Sequence, residues 1–439
     1  MEPIIFHIDV NSAYLSWSSV EKLKQGSDID LRNIPAIIGG NQADRHGIVL
    51  AKSIPAKKFG IQTGEPVAAA RRKCPDLFIE PPDHTMYKAY STRLMDYLHT
   101  LTPEIEQVSI DECYLNFGPI ASRFTSCLDA ASQIRAHVRS VFGFTINIGI
   151  SSKKVLAKMA SDFEKPDRTH TLFPSEIQEK MWPLPVDDLF MVGHASSSRL
   201  HTMGIHTIGE LATTDPALLT AAFKSHGQLM WEYANGIDDS IVDCRDHQAK
   251  GIGHSTTLAS DATSWKEIQD VLLTLAKKVA LRLQKSRQLA GTITVEIKYA
   301  TFQSVSKQLQ LLTPANTCQE IHKASVLLAK QLWNGSPVRL LGIRSSRLSD
   351  ETEPVQISLF DMELPSPKKK APVSSDKMQK LDQALFQIRQ RYGEDSVKLA
   401  SSISAKQSNT ENPPKKPSPQ PKKTSPKQSF DRFKNNRNN

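Results

Sequence analysis

The segments Ile4–Tyr14, IIFHIDVNSAY, and Val108–Phe117, VSIDECYLNF, determine how this chain folds. Each is an apolar run of the kind that forms a β-strand. Asp9 ends the first run, and Asp111 and Glu112 lie inside the second. Carboxylates at such positions lose hydration energy unless a cation pairs with them. No lysine or arginine neighbours any of the three in the sequence, so divalent cations are the expected partners.

Magnesium is the divalent ion that suits three hard oxygen donors, and it also binds substrate phosphates. Two Mg²⁺ ions on this triad would form a phosphoryl-transfer site. A simpler interpretation is that these are ordinary solvated acids at strand ends. That interpretation loses force because the DE pair lies within SIDECYLNF and a second acid-bearing strand precedes it.

The order of predicted elements in the first part of the chain is βαββαβ, with a long insertion after the first helix. This order is ferredoxin-like, and it would bring Asp9 beside Asp111 and Glu112 although roughly a hundred residues separate them. The predicted elements are the strand Ile4–Val10, the helix Ser12–Leu23, the strands Glu104–Ser109 and Glu112–Phe117, the helix Arg123–Phe142 and the strand Phe144–Ile150.

The remainder of the chain predicts a helical region and a second α+β unit. Residues 174–236 read as short helices, with a capping box formed by Thr207 and Glu210. Residues 251–348 predict the order strand, helix, two strands, helix, strand. Asp376–Ala400 has the apolar spacing of a helix, and residues after Ser404 are too polar to fold.

Charge is concentrated at the C-terminal end. The chain has a formal net charge of +9, of which residues 403–439 supply +7, from nine Lys and Arg against two acids. The rest is therefore almost neutral, and any nucleic-acid contact there depends on local basic surfaces. The five cysteines show no CxxC pair and are expected to be reduced thiols. No apolar run reaches membrane-spanning length and no signal peptide is recognisable, so a soluble, intracellular protein is expected.

Three motifs in order, FHIDVNSAY, SIDECYLNF and ASDFEKPD (Ala160–Asp167), resemble the Y family of translesion DNA polymerases, closest to the DNA polymerase IV type. The resemblance implies an α+β, multidomain right-hand polymerase with a ferredoxin-like palm, small fingers, a helical thumb, an α+β little finger and a disordered basic C-terminal tail. The expected bounds are palm 1–20 and 78–170, fingers 21–77, thumb 171–240, little finger 248–349, linker 350–375, helical segment 376–402 and tail 403–439.

The resemblance also assigns roles to residues. Asp9, Asp111 and Glu112, with the main-chain carbonyl of Val10, would hold the two Mg²⁺ ions. Tyr14 would be the steric gate against the 2′-hydroxyl of a ribonucleotide; the alternative is an aromatic residue that only packs beneath the fingers.

Lys165, in EKPD, would bind the triphosphate of the incoming deoxynucleotide. Relatives place a Tyr-x-x-Arg pair in the fingers, and the matching residues here are Ile54 and Lys57. Lys57 offers charge but no bidentate fork, and Ile54 offers no hydrogen bond. Because the Tyr-x-x-Arg pair is missing, we expect either weaker nucleotide binding or another residue that binds the triphosphate in its place.

The segment Gln356–Phe360, QISLF, resembles the clamp-binding peptide of bacterial replication proteins. Gln356 would make a polar contact with a sliding clamp, and Leu359 and Phe360 would fill an apolar pocket. Tethering of this kind raises the local concentration of an enzyme that grips DNA weakly.

The resulting prediction is a monomeric, error-prone translesion DNA polymerase that acts on primed template DNA in the bacterial cytoplasm, without proofreading. Two alternatives remain. One is a catalytically inactive Y-family scaffold, which the three retained carboxylates disfavour. The other is a two-metal enzyme on a similar palm, such as a nucleotide cyclase, which the little finger and QISLF disfavour.

Overall fold

The computed structural model describes residues 3–40, 47–245 and 248–351, together with Ala384 and Ile388. The chain divides into the units Met1–Gln356 and Ile357–Asn439, and the three ranges lie in the first unit. Ala384 and Ile388 belong to the second unit and are helical. The QISLF peptide, the rest of the expected helix 376–402 and the tail 403–439 lie outside the described residues.

The strands of the first unit lie within residues 5–171 and 251–350. They are β1 Ile5–Val10, β2 Ala36–Gly39, β3 Val49–Lys52, β4 Phe78–Glu80, β5 Ile105–Gln107, β6 Glu112–Asn116, β7 Ile146–Ser151, β8 Thr169–Thr171, β9 Gly251–Ala262, β10 Gln288–Tyr299, β11 Ser304–Ala315 and β12 Val338–Asp350.

Helices connect these strands and also form the thumb. They are α1 Ala13–Lys24, α2 Ile54–Lys58, α3 Val67–Lys73, α4 His84–Leu101, α5 Cys127–His137, α6 Lys154–Asp162, α7 Ile177–Lys180, α8 His194–Thr202, α9 Ile208–Thr213, α10 Pro216–Phe223, α11 Ser225–Ala234, α12 Trp265–Lys285 and α13 Cys318–Leu332.

The palm sheet has the strand order β5-β6-β1-β7-β8. Its first four strands have the ferredoxin-like arrangement predicted from the sequence, with β1 antiparallel to both β6 and β7. The parallel edge strand β8 adds to the predicted order. All six residues of β1 are buried, which explains why its sequence is an almost continuous apolar run.

Two details of the palm differ from the prediction. The expected helix Arg123–Phe142 is shorter, because Ser126 accepts a hydrogen bond from the Asp129 amide and starts α5 only at Cys127. Its last turn, Val138–Phe142, is a π-helix. The expected strand Glu104–Ser109 is also shorter, since β5 spans only Ile105–Gln107, whereas β6 begins at Glu112 as predicted.

The fingers contain a small sheet with the order β3-β2-β4. Strand β4 extends three residues past the expected boundary at residue 77 and pairs in parallel with β2. A separate apolar core, which includes Ile37, Val49 and Ile61, lies beneath this sheet. The sheet ends at Lys52, whose position bears on the site described below.

The thumb consists of α7–α11, and the predicted capping box of Thr207 and Glu210 starts α9. The little finger is an antiparallel sheet of order β11-β10-β12-β9 that packs on α12 and α13. Its element order is the one that the sequence predicted. All five cysteines are free thiols. In the described part of the chain no helix has the length and apolar character needed to span a bilayer.

Helix α6 packs unusually closely on the palm sheet, because β7 carries a glycine beneath it. A Cβ on Gly149 would lie 2.0 Å from the carbonyl oxygen of Ala157 and 2.4 Å from the amide nitrogen of Ser161. Neither backbone group can move without moving the helix. The absence of a side chain at Gly149 therefore sets the distance between α6 and the strands that carry the acids.

Gly149→Ala is expected to destabilise the protein by about 2 kcal/mol or more, because the added methyl group meets backbone atoms. Gly193→Ala is the matched control, since nothing lies within 4 Å of a Cβ there and its φ is −88°. That change should cost only roughly 0.5 kcal/mol. The urea-denaturation midpoint of each variant measures the difference, and equal midpoints would contradict the close packing of α6.

Candidate active site

Two of the three predicted acids face each other directly. Asp9 on β1 is paired in register with Glu112 on the neighbouring antiparallel strand β6. Side chains of directly opposed residues project from the same face of a sheet, and like charges at such a pair are destabilising. The Asp9 side chain is only 8% exposed, so water screens its charge poorly. This pair requires positive charge nearby.

Asp111 lies in the tight turn that precedes β6, and not in the strand itself. The Ser109 hydroxyl accepts hydrogen bonds from the amides of Asp111 and Glu112, at 3.2 and 3.0 Å. It donates to Asp111 Oδ1 at 2.7 Å. The Val10 amide donates to the carbonyl of Asp111, which joins the turn to the end of β1. Ser109 therefore positions both acids, although in the sequence it is only a serine two residues before the acidic pair.

No basic residue is next to the acids in the sequence, but the tertiary structure brings two lysines to them. Lys158 Nζ on α6 donates to Glu112 Oε1 at 2.6 Å. Lys165, just after α6, donates to Asp9 Oδ2 and also pairs with Asp162 at 2.8 Å. Neither lysine is adjacent to an acid of the triad in the sequence. Helix α6 and the loop that follows it place the two lysines beside the acids.

The electrostatic state of these groups follows from their burial and their partners. Burial raises the pKa of Asp9, against the attraction of the Lys165 ammonium. Burial alone would lower the pKa of Lys158, but its hydrogen bond to Glu112 and the charge of Asp162 raise it overall. The pKa of Lys165 is likewise raised by Asp9 and Asp162 despite burial. Both lysines are therefore charged at neutral pH.

A buried pair of asparagines anchors the loop that carries Lys165. Asn11 Nδ2 donates to Asn147 Oδ1 at 3.1 Å, and Asn11 Oδ1 accepts from the Asp167 amide at 2.9 Å. Asn147 Nδ2 donates to the carbonyls of Ser161 and Glu164, at 3.0 and 2.7 Å. Sequence reasoning missed Asn147, although a polar amide inside the apolar strand β7 was a usable signal.

Tyr14 packs against another ring. Its ring is stacked on Tyr87 of α4, with 4.4 Å between centroids and 10° between planes. Tyr87 is fully buried, and its hydroxyl lies 3.0 Å from the hydroxyl of Ser18. Burial and the charge of Asp111 raise the pKa of Tyr14. The stack holds the Tyr14 ring in one orientation close to the acids.

A cavity of 430 Å³ unites these residues. It contains all three predicted acids, Tyr14 and Lys165, together with the unpredicted Lys158 and a lysine of the fingers. Its lining is Asp9, Val10, Ser12, Ala13, Tyr14, Leu50, Ala51, Lys52, Thr63, Asp111, Glu112, Lys158, Asp162 and Lys165.

The predicted nucleotide contact Lys57 does not line this cavity, and neither does Ile54. Lys57 is an exposed residue of α2, and Ile54 at the start of that helix is 52% exposed. Lys52, two residues before Ile54, lines the cavity in their place. The sequence alone did not show which lysine of this stretch, Lys52 or one of those that follow it, reaches the cavity.

The donor set is suited to hard divalent cations. In the part of the chain that the structure describes, no three His, Cys, Asp or Glu side chains already converge as a metal cage. Instead the ammonium groups of Lys158 and Lys165 contact the carboxylates of Glu112 and Asp9. Carboxylate oxygens stabilised by ammonium ions in a water-accessible cavity fit a metal ion that exchanges with those lysines.

Comparisons with known proteins show the family to which this chain belongs. A profile of the impB/mucB/samB family matches residues 8–162, and the profile of its C-terminal domain matches residues 249–359. The DNA polymerase IV of Clostridium acetobutylicum is 42% identical over 397 residues, which are 90% of this chain and 97% of that protein. The chain belongs to the Y family of DNA polymerases.

Other relatives extend the same result. The DNA polymerase IV of Clostridium kluyveri is 35% identical and spans 92% of this chain and 99% of its own length. A DNA polymerase IV of Bacillus subtilis is 32% identical over 93% of this chain and 95% of its own length. A solved Y-family DNA polymerase chimera has the same fold, with a TM-score of 0.69 and 21% identity, over 79% of this chain and 99% of that one. Y-family polymerases use divalent metal ions.

Lys158→Met should lower the free energy of unfolding by about 1–3 kcal/mol in the presence of a chelator, because Glu112 loses its partner beside Asp9. Millimolar Mg²⁺ should recover much of this loss, since an ion that binds the folded acids stabilises the folded state. Lys153→Met, at the N-cap of the same helix, is the matched control, because the pair of Lys153 with Asp239 is at 3.7 Å and Asp239 is 96% exposed. It should change little under either condition. A loss at Lys158 that is independent of Mg²⁺ would contradict exchange between lysine and metal.

Proposed function

We propose that Asp9, Asp111 and Glu112 hold two Mg²⁺ ions, and that the cavity they line is where this chain joins a deoxynucleotide to a primer 3′ end. The chain is a template-directed, error-prone translesion DNA polymerase, as its family membership establishes. The observation that supports this site for the activity is the register pair Asp9–Glu112, with Asp111 in the adjoining turn and two lysines as counter-ions.

Bound Mg²⁺ would lower the pKa of the attacking 3′-hydroxyl and neutralise charge on the leaving pyrophosphate. The residues of the chain orient the metal-binding oxygens and bind the nucleotide. The acids orient their oxygens into one cavity because β1 and the Ser109 turn hold them there. Lys165, once Asp9 holds a metal, is free to bind the phosphates of the nucleotide.

Tyr14 is the proposed steric gate for the sugar. Its stack on the buried Tyr87 supports this role, because a ring fixed on one face cannot move away from an added 2′-hydroxyl. The packing interpretation and the gate are therefore compatible: one ring face packs, and the residue also lines the cavity.

The proposed partners are primed template DNA, deoxynucleoside triphosphates and a sliding clamp that binds Gln356, Leu359 and Phe360. The clamp proposal is supported by the pattern of QISLF directly after the little finger. We also propose that the protein acts as a monomer in the bacterial cytoplasm. Nothing favours the inactive scaffold, because all three acids are retained in one cavity.

Asp111→Ala combined with Glu112→Ala should lower primer extension by roughly a thousandfold or more, since the electrostatic contribution of the metals is lost. DNA binding and folding should be nearly unchanged. Asp129→Ala, which removes an exposed acid of α5, is the control and should extend primers normally. Substantial Mg²⁺-dependent extension by the double variant would refute the proposed site.

Tyr14→Ala should admit ribonucleotides, because it opens space beneath the sugar. The measurement is the ratio of deoxynucleotide to ribonucleotide incorporation efficiency. Tyr14→Phe, which keeps the ring stacked on Tyr87, should retain most of the discrimination. If the ratio is the same in Tyr14→Ala and the parent, the ring only packs and another residue selects the sugar.

Leu359→Ala with Phe360→Ala should leave extension on a short primer unchanged and remove stimulation by a sliding clamp on a long primed template. The comparison is made at moderate salt and also in a chain without residues 404–439, because the basic tail binds DNA non-specifically and its contribution falls with salt. Equal clamp stimulation of the double variant and the parent in the tail-less chain would exclude QISLF as the clamp contact.

A further inference from the structure

Lys52 is a cation of the active-site cavity to which no role has been assigned. It is the last residue of β3, so it enters the cavity from the fingers sheet. The acids and the other two lysines of the cavity, Lys158 and Lys165, enter from the palm. A substrate in the cavity would therefore have the palm cations on one side and Lys52 on the other.

The palm lysines already have ion-pair partners, whereas no hydrogen bond or ion pair joins the Lys52 side chain to a residue that the structure describes. Lys158 pairs with Glu112, and Lys165 pairs with Asp9. Asp162 contacts both of these lysines, at 3.5 and 2.8 Å. Among the described residues, no hydrogen bond or ion pair of the Lys52 side chain is found within 4.0 Å. Lys52 is therefore the cavity lysine that has charge available for a ligand.

The surroundings of Lys52 favour an anionic ligand. Burial lowers the pKa of Lys52, and the positive charges of Lys57 and Lys73 lower it further. The Glu65 carboxylate opposes this effect, but it is engaged with Lys73 at 2.5 Å. A partly desolvated ammonium among like charges gains more from an incoming anion than a fully solvated one does. The fingers side of the cavity therefore favours binding of an anionic group.

Lys57 is poorly placed for the same task. It is exposed on α2 and does not line the cavity, although it lies close enough to Lys52 to influence it electrostatically. Ile54 supplies no hydrogen bond. The residue that reaches the cavity from this part of the fingers as a charged group is Lys52.

We propose that Lys52 binds the triphosphate of the incoming deoxynucleotide from the fingers side and takes the role that Lys57 was expected to have. This inference rests on the proposed function of the cavity. It makes Lys52 a substrate-binding residue whose contact with phosphate is present both before and during the reaction. Uniform binding of that kind changes KM and leaves kcat nearly unchanged.

Lys52→Met tests the proposal, because methionine keeps an unbranched apolar side chain and removes the charge. At saturating primer–template, KM for the templated deoxynucleotide should rise ~10- to 100-fold with kcat nearly unchanged, as expected for the loss of one charge-assisted contact. Lys57→Met is the matched control and should shift KM by less than about threefold. Lys52→Arg should restore most of the affinity, since it returns the charge.

A binding measurement separates nucleotide contact from DNA contact. The probe is the α,β-imido analogue of the templated deoxynucleoside triphosphate, added with Mg²⁺ to enzyme on a dideoxy-terminated primer–template. Its Kd should rise in Lys52→Met by the same factor as KM, while the Kd of the primer–template without nucleotide stays unchanged. A rise only in the DNA Kd would assign Lys52 to the DNA backbone and overturn the proposal.

Two further outcomes decide the result. An unchanged nucleotide KM and Kd in Lys52→Met, or the larger effect in Lys57→Met, would overturn the role of Lys52 alone. Failure of the underlying function is recognised separately, because Asp111→Ala with Glu112→Ala would then still extend primers. Thermal unfolding of each variant verifies that the fingers are folded, and Lys52→Gln provides a second neutral variant should Lys52→Met be unstable.

Discussion

Two carboxylates opposed across neighbouring strands cannot both be charged in a buried site unless cations are close. Asp9 and Glu112 are such a pair, and much of the architecture around them answers this requirement. Lys158 and Lys165 supply the cations while no metal is bound. The same repulsion would favour a divalent ion at the proposed metal site, because a metal contacts several oxygens at once.

The counter-ions reach the acids through close packing of a helix on a sheet. Gly149 lets the backbone of α6 approach β7, and Asn147 bonds to the carbonyls of Ser161 and Glu164 at the end of that helix. Asn11 fixes the following loop through the Asp167 amide. The two lysines are therefore positioned by hydrogen bonds to the backbone and by the close helix packing that Gly149 allows, and not by their salt bridges alone.

The cavity is shared between the palm and the fingers. The palm contributes the acids, Tyr14 and two lysines, while the fingers contribute Lys52 and the short stretch Leu50–Ala51. In the proposed function, nucleotide recognition would depend on charge at the phosphates and on the shape of the cavity at Tyr14.

The sequence by itself determined the palm topology, the three acids and the order of elements in the little finger. Apolar periodicity and acids inside apolar runs are local patterns, and they can be recognised without knowledge of tertiary contacts. Only the tertiary structure decided that Asp111 lies in a turn held by Ser109, that Lys158 neighbours Glu112, and that Lys52 reaches the cavity where Lys57 does not. These facts depend on the approach of α6 and β3 to distant strands, and a lysine that neutralises a buried acid has the same local sequence signature as one that is solvated.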